Sequence, residues 1–151
     1  MMTLAEFKEQ LQISLKEELD LGKSMVENEI IAGFDFGVFP WSGYFELSFL
    51  TKKEVEEYGD EFKYDIAAWK FYNFNGFQEN TEKTIYNLGL WMLNYYKETN
   101  DGQLFFNLCA EILKDPEVVG SLNQYNLSDD FEVSVYDPDD ADFSNYAVES
   151  R

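Results

Sequence analysis

Phe34-Asp35-Phe36-Gly37-Val38-Phe39 and Tyr44-Phe45-Glu46-Leu47-Ser48-Phe49-Leu50, joined by Pro40-Trp41-Ser42-Gly43, decide the fold of this chain. Phe34, Phe36 and Val38 alternate with smaller or polar residues, and Phe45, Leu47 and Phe49 alternate with Tyr44, Glu46 and Ser48. A period of two sends successive side chains to opposite faces of a sheet. The linking residues are turn formers, so Ile30 to Leu50 is expected to be a β-hairpin.

Outward from the hairpin the signals become helical. Upstream, Thr3-Leu4-Ala5-Glu6 matches a capping box, and Leu4, Phe7, Leu11 and Leu15 recur at helical spacing. A helix is expected from Thr3 to Leu21, extending towards Glu27. Downstream, Thr51-Lys52-Lys53-Glu54 is a second capping box, opening a short helix that ends near Gly59. The aromatic-dense stretch Asp60 to Phe77 fits a third strand preceded by a turn or a short helix, and a mixed loop with a short element is the preferred reading.

Ile85, Leu88, Met92 and Tyr95 share one face of a helix expected over Thr81 to Glu98. Asn100 or Asp101 then caps a second helix carrying Leu104, Phe105, Leu108, Cys109 and Ile112. The short connection predicts an antiparallel helical hairpin. Asp115-Pro116-Glu117 opens a further short helix to about Leu122. Phe131 to Tyr136 alternates and reads as a strand. The fold class is therefore α+β: a single domain over 1–144, with a mainly antiparallel sheet and helices packed on one face. Residues 145–151 are expected to form a frayed acidic tail.

Composition narrows the chemistry. The 151 residues carry 30 acids against 11 bases, a net charge of −19, and 18% of them are aromatic. The last 23 residues account for −7 of that charge, so most of the acidity belongs to the folded domain. A field of this sign repels phosphate, so neither nucleic acid nor an anionic membrane is an expected partner. No secretory signal or membrane-length apolar run is evident, and Cys109 has no cysteine to pair with. A cytoplasmic location is expected.

The chain has no histidine, and its one arginine is Arg151. Imidazole bases, Ser-His-Asp and Cys-His sites, and Cys/His zinc sites cannot be built from it. No phosphate loop or dinucleotide fingerprint is present. No cofactor and no metal are expected, and no catalytic residue is assigned. Paired carboxylates survive as an alternative, because a glycan hydrolase needs two and little else. Asp35, Glu46, Asp60, Glu61 and Asp65 flank aromatic residues as such a site would. The run Asp137-Pro138-Asp139-Asp140-Ala141-Asp142 invites a calcium reading, but EF-hand spacing fails. Counted from Asp137, the sixth position is Asp142 instead of Gly and the twelfth is Val148 instead of Glu.

Trp41 and Tyr44 flank the hairpin tip, and exposed aromatics serve as anchors at protein interfaces. Together with the acids Asp60, Glu61, Asp65, Asp137, Asp139, Asp140 and Asp142 they form the expected partner-binding set. Acidic groups speed encounter with a basic protein and aromatics lengthen its stay. An acidic adaptor whose charge confers only solubility is the further alternative.

The order of these elements resembles that of small uncharacterised bacterial domains found in polymorphic-toxin neighbourhoods. The likeness rests on the capped first helix, the hairpin Phe34 to Thr51, the Thr-x-x-Glu helix, the aromatic box Tyr64…Trp69-Lys70-Phe71-Tyr72, and the helix pair. It implies a non-enzymatic immunity role, in which the chain binds and blocks a basic toxin domain. It carries over no catalytic residue.

Overall fold

The computed structural model describes residues 2–76 and 83–149. Helix α1 spans Leu4–Gly22, and both halves of its capping box are made: Thr3 Oγ1 accepts from the Glu6 amide and Glu6 accepts from the Thr3 amide. Phe7, Leu11, Leu15 and Leu19 form its buried stripe. A 3₁₀ turn, Lys23–Val26, continues it towards the sheet.

Strands β1 (Ile31–Phe39) and β2 (Tyr44–Thr51) pair antiparallel, with Phe34 opposite Phe49, Phe36 opposite Leu47 and Val38 opposite Phe45. The hairpin read from the alternation is therefore present in register. Its turn requires Gly43, which has φ +76°, a region that side-chain-bearing residues rarely adopt. Helix α2 (Lys52–Tyr58) follows at once, again with a complete capping box between Thr51 and Glu54.

Helix α3 (Thr84–Thr99) begins just after the residues left undescribed, so the start expected at Thr81 lies outside the described residues. Helices α4 (Gln103–Ile112) and α5 (Pro116–Leu122) complete the helical layer. Asp101 caps α4 by accepting from the Leu104 amide, and Asp115 caps α5 by accepting from the amides of Glu117 and Val118. Helices α3 and α4 each lie against α1, and Tyr95 of α3 meets Phe105 of α4 edge-on. Phe7 wedges between them, stacking on Trp91 of α3 and meeting Phe105 of α4 edge-on.

The expectation of a mainly antiparallel sheet requires correction. Strand β3 (Leu127–Ser134) joins the free edge of β1 in parallel, so the sheet is mixed, in the order β2-β1-β3. Parallel pairing needs a long crossover, and the helical segment between β2 and β3 supplies it. Alternation specifies which residues share a face, but says nothing about strand direction.

One face of this sheet holds the core. Phe34, Phe36, Val38, Phe45, Leu47, Phe49 and Val135 join the buried residues of α1, α3, α4 and α5 in a single cluster. Cys109 is buried there, a small apolar group as read, and burial pushes its thiol well up. The β2 edge is covered, and the C-terminal end of β3 is held by Asn145. Along β2, the Phe74 amide donates to Leu47 O, Asn75 accepts from the Leu47 amide, and Ser48 accepts from the Asn73 amide. Beyond β3, Asn145 accepts from the Val135 amide and donates to Val133 O. Fraying was expected from 145 onward, yet Tyr146–Glu149 forms a short helix, α6, with Ala147 buried and Tyr146 against Phe106. Asn145 supplies the edge groups that hold it. Among the described residues, no helix is long and apolar enough to cross a membrane.

Candidate functional site

The opposite sheet face carries Asp35, Gly37 and Phe39 of β1, with Tyr44, Glu46 and Ser48 opposite them on β2. Ser134 lies beside Asp35 on β3. Among the described residues, no long helix covers this face. The segment after α2 crosses it instead, as two 3₁₀ turns (Asp60–Tyr64 and Ile66–Ala68) and a single antiparallel bridge from Phe71 to Phe49. This is the mixed loop with short elements preferred from the sequence, as far as Gly76; Phe77 lies outside the described residues. Trp69 pins the segment, donating from Nε1 to Phe62 O at 2.9 Å while its ring is buried.

A hollow of about 380 Å³ remains between this segment, the strands and the stretch 136–143. Gly37 contributes no side chain to the lining, and around it lie Phe39, Tyr44, Tyr64, Tyr72, Tyr136 and Phe143, with the carboxyl groups of Asp35, Glu46 and Asp137. Phe39 and Tyr44 stack with centroids 4.8 Å apart, and Tyr64 packs on Phe143 at 5.0 Å. The described lining contains no Lys or Arg.

Asp35 is 4% exposed and accepts a 2.6 Å hydrogen bond from Ser134 Oγ to its Oδ1. Burial raises its pKa to about 7, opposed by the Ser134 hydrogen bond and assisted by the charge of Glu46. Glu46 is 9% exposed, and its Oε2 accepts from Tyr72 Oη at 2.7 Å. Burial, and the hydrogen bond to Glu46, push the Tyr72 phenol up. Burial also pushes up the Tyr136 phenol, with the charge of Asp35 adding to it.

A second hollow, of about 300 Å³, adjoins the first across Ser134 and Tyr136. Asp60, Asp130 and Glu132 line it with one base, Lys63, which pairs with Glu132 at 3.3 Å. The Lys63 ammonium also rests 5.3 Å from the centroid of the Tyr64 ring.

Of the residues expected to bind a partner, Tyr44 and Asp137 line the first hollow and Asp60 the second. Glu61 and Asp65 are exposed on the covering turns, outside both linings. Trp41 points elsewhere, half-buried among Phe39, Tyr96 and Phe106. Asp139 belongs to an aspartate turn in which its amide donates to Asp137. Asp140 accepts from the amides of Asp142 and Ser144, which holds its carboxyl below the usual range. Among the described residues, no three Asp, Glu, Cys or His are arranged to hold a metal ion.

Of the carboxylates considered for glycan chemistry, Asp35 and Glu46 share the first hollow, whereas Asp60, Glu61 and Asp65 stand apart from it. Sequence reasoning missed Tyr64, Tyr72, Tyr136 and Phe143 as parts of one site. For Tyr136 a signal existed: the alternation through Glu132 and Ser134 carries on to it.

No protein-family model, curated protein or solved structure matches this chain.

Proposed function

We propose that this protein is a non-enzymatic, immunity-type inhibitor that binds a basic toxin domain and occludes it stoichiometrically. One observation carries the reading: acids and aromatic rings converge on the sheet face that the long helices leave free. Asp35, Glu46 and Asp137 surround one hollow, and Asp60, Asp130 and Glu132 the next, against a single lysine. Such a face draws in a basic surface and repels phosphate. Tyr44 and Tyr64 supply rigid contact area beside the charges. The net charge of −19 extends the attraction over the whole molecule.

The test is affinity capture from the native host with the full chain as bait, followed by mass spectrometry. A basic protein is expected, bound one to one and released as salt rises from about 0.05 to 0.5 M, as screening shortens the range of the charges. Asp60→Lys with Asp137→Lys should weaken the complex at least tenfold. Absence of any basic partner, or an association indifferent to salt, overturns the reading.

A carboxylate-based glycan hydrolase is the second reading, favoured by Asp35 and Glu46 facing one aromatic-lined hollow. It ranks lower because both carboxyls are at least nine-tenths buried and already accept hydrogen bonds. Glycan hydrolysis that disappears in both Asp35→Asn and Glu46→Gln would reverse the ranking.

A further inference from the structure

We propose that the hollow bounded by Asp35, Glu46 and Asp137 is a recognition pocket for one organic cation, the ammonium or guanidinium head of an alkyl chain.

The carboxyl of Asp35 is the first ground. Its Oδ1 accepts from Ser134, while the residue as a whole is 4% exposed. A carboxylate charge held this far from bulk water is costly unless a charge of opposite sign stands against it. Ser134 and Glu46 cannot neutralise it, since one is uncharged and the other is an acid. A cation entering the hollow would do so.

The aromatic lining is the second ground. Aromatic faces attract organic cations electrostatically, most strongly where water is excluded. Tyr44, Tyr64, Tyr72 and Tyr136 line this hollow together with three carboxyl groups. Lys63 in the adjoining hollow already lies over the outer side of this cluster, 5.3 Å from the Tyr64 centroid. The volume of about 380 Å³ suits a small head group with a short stem, near the lower end of ligand sites at about 300–1,000 Å³.

The head group has two sources: a lysine or arginine side chain of a protein partner, or a free small amine. Only the first rests on the binding role proposed above. The experiment therefore starts with small molecules and the full chain. Amide and tyrosine-ring NMR shifts are followed on titration with butylguanidinium, butylammonium and the neutral control butylurea at constant ionic strength. Saturable shifts centred on Gly37, Tyr44 and Tyr72 are expected with at least one cation, with a Kd on the order of millimolar for ligands this small. Butylurea should give none. Asp35→Asn combined with Glu46→Gln should weaken cation binding at least tenfold. Glu9→Gln combined with Glu98→Gln makes the same change in net charge on exposed positions and should leave it unaltered.

Equal response to butylurea, unsaturable shifts, or unchanged binding in the Asp35/Glu46 double variant overturns the pocket. A ring-current spectrum matching the wild type shows that the double variant is folded, and Asp35→Asn alone provides a milder second variant. With a captured basic partner, competition by butylguanidinium assigns the pocket to a side chain of that partner. Saturable cation binding without competition assigns it to a free amine. Failure to find a partner removes the binding role but leaves the titration result standing.

Discussion

Ser134 and Asp35 face each other across the two parallel strands, joined by a 2.6 Å hydrogen bond from the serine hydroxyl to the buried carboxyl. Burial keeps the Asp35 carboxyl protonated up to about pH 7 in the folded chain, whereas the unfolded chain releases that proton near the ordinary value of 3.8. The folded state thus binds more protons between these limits, and stability falls as pH rises through that window. Asp35→Asn keeps an oxygen for Ser134 and does not titrate. The variant should gain on the wild type from pH 4 to pH 7 and hold its lead above, by at most roughly 4 kcal/mol. Urea midpoints at pH 5 and pH 8 measure this. An advantage of equal size at both pH values would mean that Asp35 does not titrate there.

Helix α3 crosses the hairpin turn where neither backbone carries a side chain. A Cβ on Gly89 would overlap the Gly43 carbonyl oxygen, and one on Gly43 would sit 2.8 Å from Leu93 Cβ. Gly89→Ala should therefore lose about 1–3 kcal/mol, despite alanine's better helix propensity. Gly120→Ala in α5 meets nothing within 4 Å and should gain about 0.5–1 kcal/mol from that propensity. Thermal midpoints of the two variants should move in opposite directions.

Glu54 has two tasks. Its Oε1 completes the cap of α2, and its Oε2 accepts from the Lys70 amide at 2.9 Å, tethering the segment that crosses the outer sheet face. Glu54→Ala should cost about 1–2 kcal/mol. It should also speed hydrogen exchange at Lys70, 16 residues away in sequence. Thr51→Ala removes the cap without the tether, and exchange at Lys70 should then stay slow. Matching exchange in the two variants would refute the tether.

Asn145 makes three backbone contacts through one side chain, with the amides of Val135 and Ala147 and the carbonyl of Val133. Asn145→Ala leaves these groups without their partner. Limited proteolysis should then cut after Ser144, in a region the wild type protects, at a stability cost of about 1–3 kcal/mol. Unchanged resistance would show that Tyr146 and Ala147 hold the segment unaided.

The parts of the fold visible in the sequence are those governed by neighbours in the chain. The capping boxes at Thr3 and Thr51, the cap at Asp115 and the alternation of Phe34 to Phe49 all act over a few residues, and each forms where read. The direction of β3 depends on where the intervening helices return the chain, which no local pattern encodes. The segment after α2 was ambiguous because its aromatics serve tertiary ends: Phe74 stacks on Phe49, and Trp69 reaches back to Phe62. The hollow was half legible. The sequence marks Asp35, Glu46, Tyr44 and Asp137 one by one, but their convergence depends on the register of three strands. Trp41 misled because a hairpin tip is ordinarily exposed, whereas here Tyr96 and Phe106 of the helical layer come up to meet it.

The mixed sheet has a consequence for the order of assembly. β1 is the central strand, and its parallel neighbour begins at Leu127, long after the hairpin is complete. During synthesis, the hairpin leaves the ribosome with one side of β1 bare, and that side stays bare until most of the chain has emerged. Asp35 waits throughout that interval for the hydroxyl that will bond it. Unpaired strand edges recruit other chains, and pairings distant in sequence form slowly. Nascent chains of this protein should therefore be most prone to aggregate before Leu127 to Ser134 is free to pair, and chaperones acting in that interval should govern its yield more than the stability of the finished domain.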